Sequence, residues 1–209
     1  MLKRLVNEAR LSLTIETTGP LLIKSGYATL TGPDMTPVLT FRNGASQVYI
    51  PGSSLKGVFR SHIEKVIRTL RPAEIVVADP FKKDDEPDQA CSTWFQQRKQ
   101  KETLDNETVY ADSDPISRLF GSTFFIGRVS IGDAYLVDDS DRSKRLPTEP
   151  RDGVGIDRLT GGAASGALFN LEVVTTGTVF RTEILLRNFE CWQLGAILLV
   201  VQDMHDELI

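Results

Sequence analysis

The sequence is short of the residues that build covalent and metal frameworks. Of its 209 residues only two are cysteine, Cys91 and Cys191, and no C-x-x-C pair occurs. A disulfide framework is thereby excluded, and a reducing cytoplasm is the expected compartment. Histidine is as scarce: His62 falls between Phe59 and Ile63 on an apolar helix face, where a satisfied, partly buried imidazole is expected, and His205 lies near the end. Acid–base chemistry by paired histidines has little to draw on. No apolar run reaches the ~20 residues of a membrane span, and MLKRLVNEAR has no long apolar stretch before a cleavage site. Neither a membrane association nor a secretory signal is expected. Cations are also in deficit, with a net charge of −4, which argues against a generic polycationic coat for nucleic acid.

The deficit is uneven. Residues 1–77 hold ten Lys plus Arg against five Asp plus Glu, residues 78–118 six against ten, and residues 119–209 eight against thirteen. The excess of positive charge is therefore N-terminal and local, which permits a basic groove on an acidic protein. Hydrophobic residues at 41% and charged residues at 25% are ordinary for a globular chain, and the length suits one domain, 1–209, with insertions.

The basic excess centres on Val48–Leu70, VYIPGSSLKGVFRSHIEKVIRTL. A strand end, Val48 to Ile50, meets Pro51-Gly52 and a serine pair, after which Leu55, Val58, Phe59, Ile63, Val66, Ile67 and Leu70 recur at helical spacing. Lys56, Arg60 and Glu64 occupy the opposite face. The first turns of such a helix offer unpaired amides, the positive end of a dipole, two hydroxyls and two cations, a combination that suits a phosphate. The plainer reading is that Ser53 or Ser54 caps the helix while Lys56 and Arg60 are solvated.

Elsewhere the chain reads as mixed α+β with an antiparallel sheet. Leu11 to Glu16 and Val179 to Leu186 alternate like half-buried strands, Leu21 to Ile23 reads as extended, and Arg42-Asn43-Gly44 as a tight turn. Residues 78–114 are dense in charge and glutamine and read as an exposed insertion, with a short helix through Ser92 to Lys101. Asp114-Pro115 has the form of an N-cap followed by proline at the first helical position, with the helix ending near Gly121. Residues 138–145, DDSDRSKR, form a charged turn, and Asn188 is placed to cap a last helix that buries Leu194, Ile197, Leu198 and Val201.

The wording IPGSSLKG closely resembles the motif of RAMP-superfamily backbone subunits of type III CRISPR-Cas effector complexes, antiviral ribonucleoproteins whose subunits polymerise along a guide RNA. Two further series carry the same resemblance: PISRLFGSTFFIGRVSIGDAYL from Pro115, and EPRDGVGIDRLTGGAASGALFNLEVV from Glu149. Together the three cover most of residues 11–201. The resemblance implies a ferredoxin-like (RRM-like) fold, guide CRISPR RNA, complementary target RNA and other effector subunits as partners, and a thumb-like β-hairpin at about 138–175 that displaces a base of the guide–target duplex. It also implies a Gly-rich loop and a last strand after the final helix, which the sequence to Ile209 does not contain.

Residue by residue, the resemblance gives Ser53, Ser54, Lys56 and Arg60 to the guide RNA and makes Arg128 a backbone contact, although Arg128 reads equally as a structural partner of Asp133. In the thumb, Arg158 suits a phosphate, Ile156 or Leu159 a wedge between bases, and Thr160, Gly161 and Gly162 a close approach of backbone to nucleic acid. That Gly-rich run also reads as a plain flexible loop. Asp34, ahead of Pro37-Val38, stands where the family carries the acidic residue of metal-dependent target cleavage, with Mg2+ or Mn2+ as the hard cation a carboxylate prefers. An Asp beside proline otherwise reads as a turn former. Related subunits often hold zinc in an insertion here, but Ser113 and Ser117 stand where the pattern has cysteine, and structural zinc needs about four Cys or His ligands. No structural zinc is expected. Three functions follow: a target-cleaving backbone subunit, a noncatalytic RNA-binding subunit of the same assembly, and a guide-processing ribonuclease, which the scarcity of histidine disfavours.

Overall fold

A computed structural model describes residues 4–26, 32–42, 44–70, 77–79, 81, 95, 105–137 and 146–209. Its elements form an α+β fold whose described strand pairings are antiparallel. The main sheet runs in the order β1 (Glu8–Glu16), β8 (Val179–Arg187), β5 (Ala134–Leu136), β3 (Ala45–Ile50) and β2 (Leu39–Arg42), while β4 (Val129–Ile131) also pairs with β8. β6 (Thr148–Ile156) and β7 (Ala163–Val174) form a separate hairpin. The described residues gather into two compact units: Met1–Leu11, Ser53–Ile131 and Ile184–Ile209 in the first, Ser12–Gly52 and Gly132–Glu183 in the second.

Alternation explains the sheet of the second unit. Val48, Ile50, Ala134, Phe180 and Thr182 are buried, while their neighbours Tyr49, Tyr135 and Arg181 lie in register on the other face. Burying a residue of this size contributes about 1.5–3 kcal/mol, so a one-residue slip, which would turn the whole set outward, is strongly opposed. β2 and β3 are joined across two residues, with Arg42 opposite Ala45. Gly44 there has φ +80°, the left-handed backbone that makes glycine the natural choice; Asn43 lies outside the described residues. The β6–β7 hairpin pairs Thr148 with Val174 through Val154 with Leu168, then slips by a bulge before Ile156. A side chain at Gly153 would strike the Phe169 ring, because that ring lies across it.

The first unit carries the helices, apart from the first residue of α1 (Gly52–Leu70), beside β4 and the end of β8. In α1 the fully buried line is Leu55, Phe59 and Ile63, at intervals of four, whereas Val58 and Leu70 are exposed. The apolar face is thus narrower than the sequence pattern implied. α2 (Asn106–Ala111) is capped by Asp105, which accepts from the Thr108 amide. α3 (Pro115–Phe120) starts at proline, with the Asp114 carboxylate accepting from the amides of Ile116 and Ser117, and stops at Gly121, as the sequence pattern requires.

Two expectations are corrected here. The region 78–114 is not simply an exposed insertion, because Ala78, Phe95, Val109 and Ser113 are buried; apart from Phe95, the helix expected over Ser92 to Lys101 lies outside the described residues, as do the charged turn 138–145 and Cys91. The final helix, α4 (Cys191–His205), is capped at Glu190, whose amide donates to Gln193 Oε1. Asn188 sits at φ 51° and accepts from the Val6 amide at 2.6 Å, so it ties down the chain start instead of capping the helix. The buried face of α4 is Gln193, Ile197 and Val200, with Leu198 exposed. A helix this apolar on every side offers periodicity no preferred face. His62 behaves as read: its Nε2 lies 2.6 Å from Asp203 Oδ2 in a partly buried pair between α1 and α4.

Candidate nucleic-acid interface

The start of α1 differs from the sequence expectation in a way that matters for anions. The helix begins at Gly52, so Ser53 and Ser54 lie inside its first turn and neither is the cap. The Gly52 amide donates to Asp133 Oδ1 at 2.7 Å. A carboxylate thus already occupies one of the orphan donors that a phosphate would use. Ser53 remains exposed and Ser54 half-buried.

One turn further on, Lys56 and Arg60 face an open groove of about 610 Å³ whose other wall is the loop 120–127. Lys56 Nζ donates to the Phe120 carbonyl at 3.0 Å, which leaves the ammonium two more protons to offer. Arg60 Nε pairs with Glu64 Oε1 at 2.8 Å, one helical turn away. The pair is half-buried, and i,i+4 helix pairs contribute only about 0.3–0.5 kcal/mol, so a phosphate can compete with Glu64 for the guanidinium. The loop itself is tightly built. A Cβ on Gly127 would stand 2.4 Å from the Phe120 carbonyl carbon and 2.6 Å from the Gly121 nitrogen. Glycine is required by that backbone-to-backbone approach.

Arg128 leaves the groove for a neighbouring cavity. Its guanidinium lies 4.6 Å from the Tyr110 ring centroid, and its buried Nε has no hydrogen-bond partner among the described residues. The cavity, about 460 Å³, is walled by Tyr110, Phe124, Phe125 and Phe189 and holds the Glu190 carboxylate. Tyr110 donates to Glu190 Oε1 at 2.6 Å and Trp192 to Oε2 at 3.0 Å. Burial pushes the Tyr110 phenol up, and its bond to Glu190 adds to the rise. The same bond holds the Glu190 carboxyl below its usual range, helped by Trp192, Arg118 and Arg128. A depressed carboxylate contributes stability that is fully present above the ordinary glutamate value, about 4.3, and is lost as pH falls through the folded value. Glu190→Gln keeps the acceptor but removes the charge. Thermal melts should find the variant less stable at neutral pH, with the difference from wild type closing as the pH falls below about 4.

In the second unit the structure places Asp34 at the hairpin. Met35 bridges Leu171 of β7, with the Met35 amide donating to the Asn170 carbonyl at 3.2 Å and the Glu172 amide to the Met35 carbonyl at 2.9 Å. Asp34 Oδ2 accepts from the Asn170 amide at 2.9 Å, while the residue stays exposed. The hairpin tip is closed by Asp157. Its carboxylate accepts from the Leu159 amide at 2.8 Å, its carbonyl from the Gly161 amide, and its own amide donates to the Gly162 carbonyl. The bond from Leu159 lowers the Asp157 carboxyl below its ordinary value. Around that knot Arg158 and Thr160 are exposed, Ile156 is 58% and Leu159 97% exposed, and Gly161 takes φ +69°. Apolar side chains held this far into solvent at a hydrogen-bonded tip are suited to insertion into a partner.

The model of the RAMP superfamily matches residues 14–209. The chain belongs to the RAMP superfamily. Membership makes the α+β sheet a ferredoxin-like fold and the activity a CRISPR-associated RNA-binding one. No curated protein matches the chain. No helix among the described residues is long and apolar enough to cross a membrane.

For a RAMP protein, the residues singled out in the sequence separate into three groups. Lys56 and Arg60 share the α1 groove, Arg128 stacks on Tyr110 in the cavity beside it, and Asp34 shares the second unit with the tip residues Ile156, Arg158, Thr160, Gly161 and Gly162. Sequence reasoning missed Asp133 at the Gly52 amide, Asp157 as the organiser of the tip, and Tyr110 as the seat of Arg128. Only Asp157 left a signal, as an Asx residue ahead of a Gly-Gly pair. Among the described residues no group of three or more His, Cys, Asp or Glu is placed to hold a metal ion. Mg2+ makes a smaller demand, since it keeps several waters and takes one or two carboxylates together with substrate phosphates. Asp34, whose Oδ1 has no hydrogen-bond partner among the described residues, fits that smaller demand.

Proposed function

We propose that this RAMP protein is a backbone subunit of a type III CRISPR-Cas effector complex, binding guide RNA and cutting complementary target RNA at Asp34. The reading is carried by the anchoring of Asp34 to the hairpin: an exposed carboxylate pinned through one oxygen to the Asn170 amide, with the other directed to no described partner. The groove of Lys56 and Arg60 holds the guide backbone, with Ser53 and Ser54 in the preceding turn and Arg128 alongside. The hairpin tip inserts Ile156 or Leu159 between base steps while Arg158 takes a phosphate. Asp34 would hold Mg2+ or Mn2+, and the ion, when bound, stabilises charge developing on the phosphate or polarises the attacking 2′-hydroxyl. Attack by that hydroxyl on the adjacent phosphorus breaks the bond to the 5′ oxygen, leaving a cyclic phosphate and a 5′-hydroxyl.

The same hydrogen bond supports a second reading, a noncatalytic subunit in which Asp34 only fastens its loop to β7. Guide binding is common to both and is tested first. Lys56→Ala with Arg60→Ala should weaken guide-RNA binding at low salt and flatten the log–log salt dependence by about 1.4, two contacts at roughly 0.7 each on single-stranded RNA. An unchanged slope in a salt titration would remove the groove from the interface.

A further inference from the structure

The second unit carries a row of planar side chains that the proposed guide and target sites do not use. Tyr49 on β3 stands opposite Tyr135 on β5, and Tyr135 opposite Arg181 on β8. The flanking Val48, Ile50, Ala134 and Phe180 are all buried, so by the two-residue period of a strand this row belongs to the opposite face of the sheet. The tyrosine rings stack with centroids 6.0 Å apart at 19°, and the Arg42 guanidinium lies 4.2 Å from the Tyr135 centroid. Both tyrosines are half-buried, and Arg42 and Arg181 are exposed. The nearby Asp133 carboxylate is engaged by the Gly52 amide and by the Tyr135 hydroxyl at 3.2 Å.

From this arrangement we propose that the face of the sheet carrying Tyr49, Tyr135, Arg42 and Arg181 is a stacking platform for unpaired bases of single-stranded RNA. The proposal rests on the RNA-binding reading above but concerns a different surface. The chemistry selects the ligand. An apolar partner would leave two guanidinium groups facing hydrocarbon, and an acidic peptide would leave the rings without a planar partner. A single strand repeats one π-face and one phosphate per nucleotide, matching phenol rings beside guanidinium groups. Bases extend the existing stack, on the outer side of Tyr49 or on the Arg42 plane, and Arg181 takes a phosphate. Duplex RNA, whose bases are already stacked, is a poor ligand.

The test uses the full chain and three probes of equal length: oligouridine, an abasic oligonucleotide and an RNA duplex. Oligouridine should bind more tightly than the abasic strand. Tyr135→Leu and Tyr49→Leu should each weaken oligouridine binding roughly tenfold, the range of one lost base–aromatic stack, while leaving the abasic strand unaffected. Tyr135→Phe, which keeps the ring, should bind as wild type. Equal binding of oligouridine and abasic strand, or Tyr135→Leu binding as wild type while Lys56→Ala with Arg60→Ala binds poorly, overturns the platform and leaves the α1 groove standing. Failure of the wild-type chain to bind any of the three overturns both. Should the leucine variants misfold, photocrosslinking of 4-thiouridine RNA to the wild-type chain decides: adducts on the peptides of Tyr49 or Tyr135 support the platform, and adducts found only elsewhere refute it.

Discussion

Asp34→Asn is expected to lower target-RNA cleavage by about 10²–10³-fold, the effect of losing several kcal/mol of metal-mediated charge stabilisation, and to leave guide-RNA binding intact. Asparagine is the informative substitution because its amide oxygen can still accept from the Asn170 amide, which Asp34 Oδ2 does at 2.9 Å. The loop stays fastened while the charge is lost. Asp34→Ala removes both. If cleavage survives in Asp34→Asn and falls only in Asp34→Ala, the carboxylate is a fastener and the second reading holds. Single-turnover cleavage with saturating guide, run beside a filter-binding measurement for each variant, separates these outcomes.

Gly127→Ala should produce the largest loss of stability of any single methyl addition named here. The new Cβ would meet backbone atoms of Phe120 and Gly121 at 2.4–2.6 Å, and backbone cannot rotate away as a side chain does. The cost is about 3 kcal/mol, which in a chain of this size lowers Tm by about 6–12 °C. RNA binding should fall with it, because the Phe120 carbonyl that must move is the one that accepts from Lys56. Gly57→Ala is the matched control. Gly57 lies within α1 with nothing within 4 Å of its added Cβ, so alanine there should stabilise by about 0.5–1 kcal/mol. Equal melting temperatures for the Gly127 variant and wild type would show that the loop relaxes freely.

What the sequence disclosed was whatever is decided within a few residues. Asp114-Pro115 and Gly121 bracket α3 as their capping chemistry demands, and strict alternation marked β8, where Phe180, Thr182, Ile184 and Leu186 are all buried. The hairpin of β6 and β7 falls inside the segment assigned to the thumb. What stayed hidden depends on partners far along the chain. Asp133 reaches the Gly52 amide from 81 residues away, and Lys56 finds the Phe120 carbonyl at a separation of 64; no local pattern announces either. The buried face of α4 was legible only at Ile197, for a different reason. Leu194, Ile197, Leu198, Leu199 and Val200 are apolar in every direction, so only tertiary packing could select Ile197 and Val200 and leave Leu198 in solvent. Phe95 and Val109 were obscured by the charged residues around them, although both are buried.

A RAMP protein that holds a guide and cuts the RNA paired to it must show both in one assembly. The most direct measurement is to assemble the chain with guide RNA and its partner subunits, add end-labelled complementary RNA with and without Mg2+, and map the products at nucleotide resolution. Cuts at regular intervals within the paired segment, lost when Mg2+ is chelated, are the expected result. Paired RNA left intact in the presence of Mg2+, or cut equally well in its absence, would contradict it.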